Sequence, residues 1–167
     1  CGLIHPIGHW VLHTACVQGQ QWLEQGLAFG QIAVNLAGPQ IQRGGLADAI
    51  AAVLAKTGFP ATRLELEVTE GFIMRQAESA IRELNDIRGL GANLAIDDFG
   101  TGYSSLSYLK RLPIQKIKLD RSFVCDLPND PNDAAISNAV IALGKSLGLS
   151  VIAEGVETQE QADFLRE

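Results

Sequence analysis

Cysteine is scarce in this chain: three residues of 167, Cys1, Cys16 and Cys125, at spacings that match neither a disulfide framework nor a zinc motif. Packing roles in a reducing compartment are expected for them. Positive charge is in deficit too, with 13 Lys and Arg against 19 Asp and Glu and a formal net charge of −6. That balance argues against gripping polymeric nucleic acid through a basic surface. It leaves room for a phosphate ligand held through cations that sit between carboxylates and phosphate oxygens. No apolar run reaches the roughly eighteen residues of a membrane helix, and no secretory leader is legible. The cytoplasm is therefore expected for this segment, with any membrane anchor lying elsewhere in a parent protein. Cys1 in place of Met leads us to expect a piece of a longer chain. Heptads, repeats and low-complexity linkers are missing as well, so one domain over 1–167 is expected, its apolar content of 47% being enough for a core.

What is present centres on residues 93–109, NLAIDDFGTGYSSLSYL. A short apolar strand, Leu94 to Ile96, delivers two adjacent carboxylates, Asp97 and Asp98, followed by a loop rich in glycine and hydroxyls and then an apolar run of helical character. Neighbouring carboxylates at a strand end repel each other and are costly to desolvate unless a cation neutralises them. A divalent metal site is one reading; capping of the next helix by Asp98 or Thr101 is the other.

Along the rest of the chain, strands and helices alternate. Pro6 to about Gln25 reads as a helix closed by Gly26; it stacks His9 and His13 four apart, with no acidic or cysteine partner nearby. Strands follow at 31–36, 63–69 and 114–120, beside the central one, and a last at 150–154. Helical stretches run over 38–57, 76–88, 133–147 and from Thr158 to about Arg166. Such alternation implies parallel strands joined by helical crossovers.

Strand parity then separates two architectures. On each strand one parity is apolar: Val34 and Leu36, Leu64, Leu66 and Val68, Leu94 and Ile96, Ile117 and Leu119, Val151 and Ala153. The other carries polar groups near the C-terminal end: Asn35, Glu65, Glu67 and Thr69, Asp97, Lys116, Lys118 and Asp120, Glu154. An open sheet covered on both faces reads apolar on both. A polar interior with reactive groups at the C-terminal strand ends is the pattern of a TIM-like (β/α)8 barrel. Five βα units cannot close one, and about 250 residues are usual, so an incomplete barrel truncated at both ends is expected. Asn35, Glu67, Asp97, Asp98 and Glu154 at one mouth are oxygen donors, which suit Mg²⁺ or Mn²⁺ better than zinc. Lys118 is the one cation among them, able to orient a water or to balance a carboxylate. Any single one of these residues has an ordinary explanation as a buried ion pair or strand-end cap.

Six segments, in this order and spacing, resemble the EAL domain, the bacterial phosphodiesterase domain that opens cyclic di-GMP: IGHWVL (7–12), VNLAG (34–38), EVTE (67–70), DDFGTGYSSLSYL (97–109), KIKLDRSFV (116–124) and AEGVET (153–158). The resemblance implies that Asn35, Glu67 and Asp97 bind a first metal, and that Asp97 and Asp98 hold a second with Glu154 beside it. It implies that Lys118 positions the attacking water, that Glu154 is the general base, and that Glu70 braces the loop from Phe99 to Ser105 through Gly102 and Ser104. Thr69, Asp120 and Glu157 are expected at the same site. The family's EAL glutamate would lie upstream of Cys1, and a glutamine with the last barrel strand would follow Glu167.

The function so implied is two-metal hydrolysis of cyclic di-GMP to linear pGpG in bacterial signalling. Two alternatives stand beside it: a non-hydrolysing cyclic di-GMP receptor of the same fold, and a dimerisation or scaffold module with a vestigial site. The expected partners are cyclic di-GMP, a second copy paired through the barrel, and sensory or GGDEF-type domains in the parent chain.

Overall fold

The computed structural model describes residues 2–75, 77–102 and 106–166, the side chains of Met74, Arg75, Ala77, Ser79 and Leu106 excepted. Five strands, β1 (Ile32–Leu36), β2 (Leu64–Thr69), β3 (Asn93–Phe99), β4 (Lys116–Leu119) and β5 (Ser150–Ala153), form one sheet. Every neighbouring pair is parallel, and their spatial order is their chain order. A parallel crossover is right-handed in nearly every case, so a sheet that always adds its next strand on the same side carries all its helices on one face. The opposite face becomes a concave interior. This is the winding of a (β/α) barrel, and these five units occupy an arc of one.

The helical layer comprises α1 (Ile4–Glu24), α2 (Gly38–Gln42), α3 (Leu46–Thr57), α4 (Glu70–Arg75), α5 (Ala77–Gly89), α6 (Leu106–Leu109), α7 (Pro131–Leu147) and α8 (Gln159–Arg166). It packs on the apolar parity of the strands: Val34, Leu66, Val68, Leu94, Ile96, Ile117 and Leu119 are buried among Cys16, Ile50, Val53, Leu84, Ile87 and Val140. Each fully buried aliphatic side chain there contributes about 1.5–3 kcal/mol, so this outer layer, and not the charged interior, holds the fold together. Packing is close where α1 crosses β1. A Cβ on Gly19 would stand 2.5 Å from Ile32 and 2.6 Å from Phe59. Burial pushes the Cys16 thiol on the same helix up to about 11, which makes it an inert packing group.

The single helical stretch expected over 38–57 is two helices. Gly44 and Gly45 both take φ of +75°, which a right-handed helix cannot contain, so α2 ends and α3 restarts after them. Arg63 belongs to a short 3-10 turn (Ala61–Arg63) that precedes β2, not to the strand. At α7 the start lies earlier than residue 133: Pro131 takes the first position and Asp130 caps the helix, accepting from the N–H groups of Asn132 (2.7 Å) and Asp133 (3.1 Å). β3 runs beyond Ile96 through both aspartates to Phe99.

Candidate active site

Strand alternation should send Asp97 and Asp98 to opposite faces of the sheet. It does not, because β3 is irregular there: the pairing with β4 shifts register between Ile96 and Phe99, and Asp98 has φ of +54°. Among non-glycine residues, aspartate and asparagine tolerate that left-handed conformation best. The kink absorbs one residue, so Phe99 returns to the core while both carboxylates stay at the mouth. The Asp98 carbonyl accepts from the Thr101 hydroxyl at 2.8 Å, and its N–H donates to Asp97 Oδ1 at 3.1 Å.

The interior is organised around Lys118. Its Nζ lies 2.9 Å from Glu67 Oε2, 3.0 Å from Asp97 Oδ1 and 2.8 Å from Glu154 Oε1, so one ammonium ties together β2, β3, β4 and the residue following β5. The lysine side chain is only 13% exposed. Burial alone would push its ammonium down; the hydrogen bonds to Glu154, Glu67 and Asp97 outweigh that and hold it well above the ordinary lysine value. Partial desolvation pushes the Asp98 carboxyl up from the ordinary aspartate range, followed by the charges of Asp97, Asp120 and Glu154, with Lys118 opposing. Three carboxylates against one ammonium, with a fourth close by, leave the mouth strongly negative.

The chemistry of this donor set fits a hard divalent cation, which favours oxygen ligands. Among the described residues, no three His, Cys, Asp or Glu side chains are gathered so as to hold a metal ion by themselves; the carboxylates gather on the Lys118 ammonium. Any ion must therefore share oxygens with that lysine. Asn35 is the register partner of Glu67, on the neighbouring strand. His9 and His13 lie with ring centroids 6.5 Å apart and have no third ligand among the described residues.

Other expected site residues are placed around this centre. Glu70, fully buried at the start of α4, accepts from the backbone N–H groups of Gly100 (2.9 Å) and Gly102 (3.3 Å). Ser104, the other expected contact, lies outside the described residues. Glu70→Ala should raise hydrogen exchange at the Gly100 and Gly102 amides by ~10- to 100-fold, the worth of one hydrogen bond to a charged acceptor. Unchanged exchange would show that the loop is held by something else. Thr69 ends β2 opposite Asp97. Asp120 is engaged locally: its Oδ1 accepts from Ser122 N–H at 2.9 Å and from the Ser122 hydroxyl, and that hydroxyl first, then the N–H, hold its carboxyl below the usual range. Glu157 pairs with Arg121 at 2.7 Å on the surface, each more than 60% exposed, an arrangement that contributes little to stability. A Cβ on Gly155 would stand 2.4 Å from Arg121 Cγ, so the turn after β5 packs directly beneath that arginine.

Sequence reasoning passed over a second interior pair. Lys116 Nζ lies 2.5 Å from Glu65 Oε2, one layer below Lys118 and Glu67.

The EAL domain family model matches residues 1–167. The bifunctional diguanylate cyclase/cyclic di-GMP phosphodiesterase MucR of Pseudomonas aeruginosa is 48% identical over 164 residues, which cover 98% of this chain and 24% of MucR. The cyclic di-GMP phosphodiesterase NbdA of the same organism is 44% identical, over 99% of this chain and 21% of NbdA. The chain thus spans about a quarter or less of the length of these relatives. Among solved structures, the PaMucR phosphodiesterase in complex with c-di-GMP superposes with a TM-score of 0.94 at 47% identity, over 99% of this chain and 67% of that one. Klebsiella pneumoniae BlrP1 in its calcium and c-di-GMP complex gives 0.84 at 31% identity, over 95% of this chain and 40% of that one.

Proposed function

This chain belongs to the EAL domain family, and on that premise we propose that it is the hydrolytic part of a cyclic di-GMP phosphodiesterase, opening the cyclic dinucleotide to linear pGpG. The observation that carries the reading is the Lys118 centre: one ammonium held by Glu67, Asp97 and Glu154, with Asp98 turned to the same mouth by the kink in β3. A vestigial site would have no reason to keep four carboxylates and a lysine in so costly an arrangement.

Asn35, Glu67 and Asp97 would hold a first Mg²⁺ or Mn²⁺, and Asp97 and Asp98 a second with Glu154 beside it, once these carboxylates turn part of their oxygens away from Lys118. Support for a divalent ion comes from the donor chemistry and from the calcium and manganese complexes of BlrP1 with cyclic di-GMP. When bound, such ions lower the pKa of a shared water and offset charge on the phosphodiester oxygens. The chain's own groups do the remaining work. Lys118, kept protonated by its carboxylate partners, would exchange its bond to the more exposed Glu154 for one donated to the attacking water and so fix that water's direction. Glu154 is 34% exposed, against 7% for Glu67 and 13% for Asp97, and is the carboxylate with room to take the water's proton. Glu70 keeps the glycine-rich loop against the mouth, and Asp120 keeps the turn after β4 in place through Ser122.

The test is incubation of the full protein with cyclic di-GMP and Mg²⁺ or Mn²⁺, with and without EDTA, followed for pGpG. Chelator-sensitive production is expected; tight binding with no product would point to a receptor instead. The reading also carries pairing of two copies through the barrel, accompanying sensory or GGDEF-type domains, and a cytoplasmic site of action.

A further inference from the structure

Interior charges in this arc come in two parallel rungs. The upper rung joins Lys118 on β4 to Glu67 on β2, and the lower joins Lys116 on β4 to Glu65 on β2. β2 and β4 are not neighbours, since β3 lies between them. Two strand spacings are about 9.5 Å, so each lysine and its glutamate must reach toward each other across β3. What they pass over is Ala95, which pairs with Glu67 on one side and with Lys116 on the other. It is fully buried yet lies outside the apolar core under the helices, and its single methyl leaves the crossing open.

We propose that the Lys116–Glu65 pair is a positioning pair for Lys118, and that Ala95 is the clearance that lets both rungs form; this rests on the hydrolase reading above. Glu65 lies two residues below Glu67 on the same face of β2 and is just as buried. Left alone, it would be an uncompensated carboxylate within the interior, directly below the Lys118–Glu67 rung and in competition with Glu67 for that ammonium. Lys116 removes that competitor. Lys118 is then free to extend upward to Asp97 and Glu154, where its ammonium meets the mouth. Without Lys116, Lys118 is drawn down the barrel and away from Glu154, and misplacement of a reacting group by about an ångström typically costs ~100-fold in rate.

The experiment is a charge cycle in the full protein: Lys116→Met, Glu65→Gln and the two together, read by kcat, KM and the Nζ–H signal of Lys118 after ¹⁵N-lysine labelling. Lys116→Met should lower kcat by ~10- to 100-fold with KM within about twofold, and should shift the Lys118 signal. The double variant, which leaves neither charge, should restore the signal and bring kcat back to within about threefold. A purely structural pair would lower Tm without moving kcat well below the melt. Lys116→Met with wild-type kcat or an unmoved Lys118 signal, or a double variant no better than the single, would overturn the proposal. If Lys116→Met does not fold, Glu65→Gln carries the same test, because it frees Lys116 to compete for Glu67. A wild-type protein without turnover would sink the hydrolase reading alone, and the signal comparison would still decide the positioning.

Discussion

Lys118→Met should destabilise the metal-free protein by about 2–4 kcal/mol, the range for removing one partner from a buried ionic cluster, here reduced because Glu154 is a third exposed. The loss comes less from the missing bonds than from Glu67, Asp97 and Glu154 being left together with no cation. The same change should lower turnover by ~10²- to 10⁴-fold, the usual span for a group that directs a proton-transfer step. The two effects separate on adding a divalent ion. Mg²⁺ can replace the ammonium as the counter-charge, so urea melts should show the variant gaining more from Mg²⁺ than the wild type does. It cannot replace a directed N–H, so the rate should stay low. A variant as stable as wild type in EDTA would mean the carboxylates are protonated or hydrated apart, and the Lys118-centred site would be wrong.

Asp98→Asn has the other large expected effect, and of opposite sign for stability. The kink at φ +54° suits asparagine as well as aspartate, so the backbone should be undisturbed. On the proposed two-metal reading, turnover should fall ~100-fold or more while affinity for cyclic di-GMP changes by about threefold or less, because a second metal would lose a charged ligand and Asp97 would keep the first. Equal losses in rate and affinity would argue against two metals. In metal-free protein the melting temperature should rise, since a carboxyl raised by desolvation and by Asp97, Asp120 and Glu154 is replaced by a neutral amide. A raised carboxyl takes up protons on folding, so its ionisation weakens the fold as pH climbs from the ordinary aspartate range through the raised value. The gain from asparagine should thus be present at pH 7 and vanish in acid below that range, where wild-type Asp98 is protonated in both states. Melting curves at pH 3 and pH 7 in EDTA check it.

Strand positions and their parity were legible in the sequence because each depends on local alternation: Leu66 and Val68 against Glu65 and Glu67 need no knowledge of neighbours. The break at Gly44 and Gly45 was not, since two adjacent glycines in a helical stretch cost only propensity until their φ is known. Nor was the conformation of Asp98, where a register shift against β4 overrides alternation. The expected contacts of Glu70 were Gly102 and Ser104; the structure adds Gly100, a donor fixed by how the loop folds back over α4. The lower rung escaped for a different reason. Lys116 and Glu65 stand 51 residues apart on strands that never touch, and nothing short of the full register relates them.

Because the sheet grows strictly in chain order, its interior charge changes in steps as the chain lengthens. β1 to β3 bring Glu65, Glu67, Asp97 and Asp98 inward with no cation among their interior positions; the first are Lys116 and Lys118 on β4. A nascent chain that has emerged only through β3 therefore carries a concave face that repels itself and stays hydrated, a poor surface for premature collapse or for sticking to another such chain. Docking of β4 sets two lysines against those four carboxylates and halves the charge, and the arrival of Glu154 after β5 completes the ring around Lys118. The proposed hydrolytic centre is in this sense the last thing the sheet can build, and its assembly reports that four successive strands have already found their places.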